Sequence, residues 1–304
     1  MRSIPIASDG TVSRMQPLHW KYRPDSLRAP ALVCAFKGWN DAGDAASSAG
    51  RLVGRALGAR NFASIDPEEF YDFQQVRPQI KLIEGESRSV VWPEVKLWEV
   101  RVPGAPRDLV MISGHEPSFR WRSFTELIVE LAEVLGVQLV VTLGALLADV
   151  PHTRPVNVSG FATDPALVQR LQLQAPTYEG PTGILGVVQD ACTNAGIPCA
   201  SLWASVPHYI AAAPNPKAAL ALVRKLESLV GVAVDAGELE MASAEYERQV
   251  AFAVQHDPDI QAFVERLEAE AGEEEADPQF EIPSGDSIAR DLQRFLRQRD
   301  QDKE

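Results

Sequence analysis

The chain has 304 residues, 45% of them hydrophobic and 23% charged, the make-up of an ordinary globular protein with room for one large domain or a core plus an appendage. Its net charge of −13, with no basic stripe, argues against nucleic acid as the main partner and against anionic membrane surfaces, since both are held through their phosphates. No apolar stretch reaches bilayer-spanning length and Met1 to Gly10 lacks the apolar core of a signal peptide, so a cytoplasmic location is expected.

Residues 1–29 are polar and punctuated by proline, and read as an extended arm with little regular structure. Ala31-Leu-Val-Cys-Ala-Phe36 is the first of four short apolar runs that each end in a dense polar loop. Such runs suit strands buried on both faces, as in a parallel sheet covered by helices. This one enters Lys37-Gly-Trp-Asn-Asp-Ala-Gly-Asp44 and then a helix from near Asn40. Ala42, Ala45, Ala46, Ala49, Leu52, Val53 and Ala56 mark the helix's buried stripe, and their small size implies close approach to the sheet. Asn61 to Ile83 reads as one or two strands around Asp66-Pro67. Ser89–Trp92 and Val95–Val100 read as a β-hairpin turning at Pro93-Glu94.

The second run, Asp108–Ser113, leads through Gly114–Arg122 to a helix for which Ser123-Phe-Thr-Glu126 fits a capping box. The third, Val137–Thr142, enters the long loop Leu143–Pro155. Asp164-Pro165 starts one helix, and a second runs from near Gly183 to Asn194. The fourth run, Ala200–Val206, ends in Pro207-His-Tyr209, and a helix from Pro216 to Val230 completes the alternation. This order predicts an α/β sandwich, mainly parallel, with an antiparallel hairpin excursion. Glu238 to Ala269 then reads as helix broken at Asp257-Pro258, Glu268–Asp277 as an acidic linker, and Ser284–Arg299 as a last amphipathic helix. From Asp257 onward fifteen acids face six bases, which leaves −9 there and only −4 on the rest. The expected division is an N-terminal extension (1–29), an α/β core (30–235) and a C-terminal helical region (236–304).

Loops leaving the carboxyl ends of parallel strands line a common crevice. The candidate ligand or partner rim is therefore Asn40, Asp41, Asp44, His115, Glu116, Arg120, Arg122, Asp149, His152, Thr153, Arg154, His208 and Tyr209. Gly38–Asp44 could offer amides to an anion, but it lacks a phosphate-loop ending and the G-x-G-x-x-G spacing. A tight turn with Asn40 or Asp41 as helix N-cap is the favoured reading. His115, Glu116, Arg120 and Arg122 could exchange a proton and hold an anion, or form a salt-bridge network; in an extended segment both arginines would point to one side. Asp149, His152 and Thr153 are residue types of a general-base arrangement, but no G-x-S-x-G elbow accompanies them. Cys34, Cys192 and Cys199 read as reduced core residues, and no zinc-ligand spacing occurs. No catalytic residue, metal or cofactor is assigned.

Taken together, these loops resemble the proteasome assembly chaperone 2 family, in its longer actinobacterial-type branch. The resemblance rests on Gly38-Trp-Asn-Asp-Ala-Gly-Asp-Ala-Ala46, Gly114-His-Glu-Pro-x-x-Arg-Trp-Arg122 and Thr142-Leu-Gly-Ala-Leu-Leu-Ala-Asp-Val-Pro-His-Thr-Arg-Pro155. Gly180-Pro-Thr-Gly-Ile-Leu-Gly186, Ser201-Leu-Trp-Ala-Ser-Val-Pro-His-Tyr209 and Ala213-Pro-Asn-Pro-Lys217 continue it. It implies a three-layer α/β/α sandwich similar to the phosphorylase/hydrolase-like fold, with added C-terminal helices. It also implies self-association into a homo-oligomer and, from the eukaryotic relatives, chaperoning of proteasome α-subunits. Those relatives dock through a hydrophobic–Tyr–any-residue ending; residues 298–304 read Gln-Arg-Asp-Gln-Asp-Lys-Glu, so docking by that route is not expected. The leading reading is a non-catalytic assembly factor with itself and proteasome subunits as partners. The alternative is an enzyme or small-ligand binder, phosphorylase/hydrolase-like or related to carboxylate–amine ligases, working at the rim; no nucleotide-binding motif supports the ligase relation.

Overall fold

The computed structural model describes residues 17–83, 87–171, 173, 178–210 and 213–274. Ten strands and seven α-helices occur among them. The strands are β1 (Leu18–Trp20), β2 (Ala31–Lys37), β3 (Arg60–Ile65), β4 (Gln79–Ile83), β5 (Ser87–Val91), β6 (Val95–Val100), β7 (Leu109–His115), β8 (Leu139–Ala148), β9 (Val158–Ala162) and β10 (Cys199–Pro207). The helices are α1 (Ala45–Ala56), α2 (Trp121–Val134), α3 (Pro165–Leu171), α4 (Ile184–Asn194), α5 (Pro216–Val230), α6 (Gly237–Gln255) and α7 (Pro258–Glu274).

Eight strands form one sheet in the order β1-β3-β6-β7-β2-β8-β10-β9. Its centre, β7-β2-β8-β10, is parallel, and antiparallel strands extend it on both sides. The apolar runs dictate this centre. In β2 every residue from Ala31 to Phe36 is buried, with Ala31, Val33 and Ala35 in one core and Leu32, Cys34 and Phe36 in the other. One face is covered by α1 and α5, the other by α2 and α4, which gives the α/β/α layering. The small stripe on α1 does permit close approach: a Cβ on Gly50 would lie 3.1 Å from the Cβ of Ala35.

Several elements differ from the sequence reading. Leu18–Trp20 of the expected arm adds an edge strand to β3. The expected pairing of Ser89–Trp92 with Val95–Val100 does not form. Instead β5 pairs with β4 as a separate two-stranded sheet, while β6 sits in the main sheet between β3 and β7. The third run continues as strand to Ala148, past a glycine that suggests a loop. Gly144 is needed there because Trp203 on β10 packs over it, its ring 2.6 Å from where a Cβ would stand. β9 goes unannounced by its short, glycine-containing run. The capping box at Ser123 is absent, since α2 already begins at Trp121 behind Arg120, whose φ is 54°. The expected acidic linker is corrected over Glu268–Glu274, which continues α7 as helix, and its last three residues fall outside the described residues together with the final amphipathic helix.

Candidate functional site

The parallel centre places the ends of β2, β7, β8 and β10 on one side of the sheet, as the rim requires. The thirteen candidates do not form one constellation there. They fall into two groups, with Arg120 and Arg122 set apart.

The first group lies at the ends of β2 and β7. Lys37 and His115 are register partners, and Lys37 pairs with Asp44 at 3.2 Å. Burial, helped by the Lys37 charge, holds the His115 imidazole below its ordinary pKa. Glu116 joins three segments: its amide donates to Lys37 O, its Oε2 accepts from Trp39 N at 3.2 Å, and its Oε1 accepts from Ile184 N at 2.7 Å. Ile184 is the first residue of α4, so the carboxylate meets a free amide at a helix N-terminus, where the dipole favours negative charge. Asp41 is buried and accepts from Ser47 N at 3.0 Å in the first turn of α1, but the N-cap position expected of Asn40 or Asp41 belongs to Asp44, because a 3-10 turn over Ala42–Asp44 delays the helix to Ala45. Burial raises the Asp41 carboxyl pKa, against the lowering effect of the Ser47 bond. Asn40 is buried too, its carbonyl accepting from Ala145 N on β8 at 2.8 Å and its amide pressed against Gly183.

The second group lies at the ends of β8 and β10. His208 Nδ1 meets Asp149 at 2.7 Å. Tyr209 Oη accepts from His152 N at 2.8 Å and is 2.9 Å from His152 Nδ1. Burial pushes the Tyr209 phenol up to about 12 and, aided by Lys217, pulls the His152 imidazole down. Lys217 on α5 is this group's hub: Nζ donates to His152 O at 2.6 Å and Arg154 O at 2.8 Å, and pairs with Glu247 of α6 at 2.7 Å. From α7, Glu268 accepts from Thr153 Oγ1 and from the Arg154 guanidinium, and Phe263 packs its ring on His208 and Tyr209 at 5.3 and 5.6 Å. The C-terminal helices therefore clasp this half of the rim.

The two arginines do not converge on an anion. Arg120 pairs with Glu69 at 2.6 Å, and Arg122 belongs to the first turn of α2, exposed. Trp121 turns inward and donates to Pro117 O at 2.6 Å. Lys37, Lys217, Glu247, Phe263 and Glu268 were not among the candidates. Lys37 opens the first polar loop and Lys217 ends the run Ala213–Lys217 of the resemblance, whereas no motif points at Glu247, Phe263 or Glu268.

Beside these polar networks the strand ends carry exposed apolar side chains: Trp39 is 48% exposed, Phe119 52% and Leu147 41%. Phe119 is presented by a packed base. Ser118 and Phe119 donate their amides to Phe70 O, and the Phe70 ring stacks edge-on against Phe124 of α2 at 5.3 Å. Such a ring pair adds about 1 kcal/mol beyond area burial. Among the described residues no cluster of His, Cys, Asp and Glu is arranged to hold a metal, and no helix is long and apolar enough to cross a membrane.

Comparison with known proteins agrees with this architecture. A profile described as the PAC2 family matches residues 35–254. A PAC2 family protein from Streptomyces avermitilis is 49% identical, covering 77% of this chain and 99% of its own at a TM-score of 0.73. A Mycobacterium tuberculosis proteasome-assembly chaperone homologue is 44% identical, covering 77% and 99% at a TM-score of 0.71. An archaeal proteasome activator from Pyrococcus furiosus, 16% identical over 78% of this chain and 97% of its own, shares the fold at a TM-score of 0.62. No curated protein matches the chain.

Proposed function

The chain belongs to the PAC2 family, and from that premise we propose that it is a non-catalytic protein-binding factor that chaperones proteasome assembly. It acts as a homo-oligomer in the cytoplasm, in the longer actinobacterial-type branch, with proteasome subunits as partners. The 44%-identical proteasome-assembly chaperone homologue supports that choice of partner. Residues 30–235 form the binding core and 236–304 an accessory helical region.

One observation carries the reading. Glu116 is held by the Trp39 and Ile184 amides, His208 by Asp149, His152 by Tyr209 and Lys217 by Glu247, while Trp39, Phe119 and Leu147 stand in solvent beside them. Large apolar side chains ringed by polar groups suit a protein partner. Nucleophilic catalysis at the rim is disfavoured, because no serine or cysteine bonds to His115, His152 or His208 among the described residues.

The test is recovery of proteasome α-subunits by tagged protein from proteasome-bearing cells, with deletion expected to shift the assembly intermediates. Recovery of no subunit, with intermediates unchanged on deletion, overturns the proposal.

A further inference from the structure

A cleft of about 580 Å³ opens between α1 and the sheet face carrying Trp98 and Met111, and none of the thirteen rim candidates lines it. It exists because α1 covers β2 and stops short of β6, and the first turns of α6, through Leu239 and Ala242, close one end. Its size falls within the range of small-molecule sites, roughly 300–1,000 Å³.

Two features of α1 give the cleft a chemical character. Gly54 lies inside the helix, where glycine costs roughly 0.5–1 kcal/mol relative to alanine. Packing does not demand it: a Cβ there would meet only Ala59 at 3.5 Å and the Met111 sulfur at 3.6 Å, ordinary contacts. Its missing side chain leaves the apolar floor open. Arg51 stands at the mouth, one turn away, with its guanidinium held by Ser48 Oγ at 2.8 Å and Ser47 Oγ at 3.5 Å. It has no carboxylate partner among the described residues, whereas its neighbour Arg55 is paired with Glu238. The wall therefore offers one unneutralised positive charge over an apolar floor, on a chain of net charge −13.

We propose that this cleft binds a monocarboxylate with an apolar body, the carboxylate on Arg51 and the body over Trp98 and Met111. One free cation beside a satisfied ion pair matches a monoanion and not a phosphate dianion. A guanidinium suits a carboxylate in particular, because its paired N–H groups match the two oxygens. The occupant would touch both α1 and α6, joining the core to the C-terminal helices.

Decanoate, titrated calorimetrically against the full chain below its micelle threshold, tests the assignment. Saturable binding is expected, weakened about ten-fold or more in Arg51→Gln, the loss of one charge-assisted contact. Decyltrimethylammonium, with the same tail and the opposite charge, should not bind. Gly54→Leu should abolish binding by filling the floor. If that variant does not fold, Gly54→Ala, whose methyl meets only ordinary contacts, should fold and bind decanoate more weakly. No saturable binding, equal affinity in Arg51→Gln, or a cationic detergent bound as tightly as decanoate each overturns the proposal.

Discussion

At the ends of β2 and β7 a carboxylate, Glu116, gathers backbone amides; at the ends of β8 and β10 an ammonium, Lys217, gathers backbone carbonyls. Glu116 sits at the N-terminus of α4, where the dipole favours its charge. Lys217 is in the first turn of α5, where the dipole opposes its charge, and it is held by two carbonyls and Glu247 together. The first half is tied by one amide of its own loop and one from α4 and remains open, with Trp39 and Phe119 in solvent. The second half needs acceptors from elsewhere and is clasped by α6 and α7. Neighbouring strand ends have become a presenting surface and a fastening.

Substitutions on the two sides test that contrast. Glu116→Ala is expected to cost about 3 kcal/mol in chemical denaturation, since two charge-assisted bonds are lost and the α4 N-terminus is left uncapped. A loss below about 0.5 kcal/mol would mean that Glu116 is not what holds this half. Trp39→Ala and Phe119→Ala should each weaken binding to a proteasome partner by about 2 kcal/mol, roughly thirty-fold, with little change in stability. Phe263→Ala on the clasped side should do the reverse, lowering stability and sparing affinity; equal affinity losses on both sides would erase the distinction. Tyr209→Phe should cost about 1–1.5 kcal/mol by stranding the buried His152 N–H.

The smallest expected effect is in pH dependence. His115 and His152 have folded pKa values below the unfolded value near 6.5, so the unfolded chain binds more protons as the solution is acidified. Stability should fall as pH drops below about 6.5 and level off once pH is below the depressed folded values. His152→Gln should flatten that slope by a fraction of a proton, measured as denaturation midpoints across the pH range. An unchanged slope would show that His152 does not contribute to it.

The layering was legible because it is written in local pattern. The continuous run Ala31–Phe36, bounded by polar loops, suits a strand buried on both faces, and the alanine stripe of α1 suits a close-packed helix. The rim was legible as a location, since four apolar runs ended in polar loops. Its division was not, because the deciding bonds are tertiary: nothing near Glu116 announces that it will meet Ile184, and nothing near Thr153 announces Glu268. The hairpin was misassigned for a related reason. Val95–Val100 alternates like an edge strand, and only its neighbours in space show it within the main sheet. Arg120, with its positive φ, concealed where α2 begins, because the loop–helix boundary there follows no capping pattern.

The clasp also sets a timetable. The bond from Glu116 to Ile184 spans 68 residues, whereas those from Thr153 and Arg154 to Glu268 span 115 and 114. A chain emerging from the ribosome can complete the outward half once α4 has appeared, but the other half must wait for α7. For the interval between, the strand ends of β8 and β10 stand uncovered. A nascent chain therefore acquires its presenting surface before its fastening.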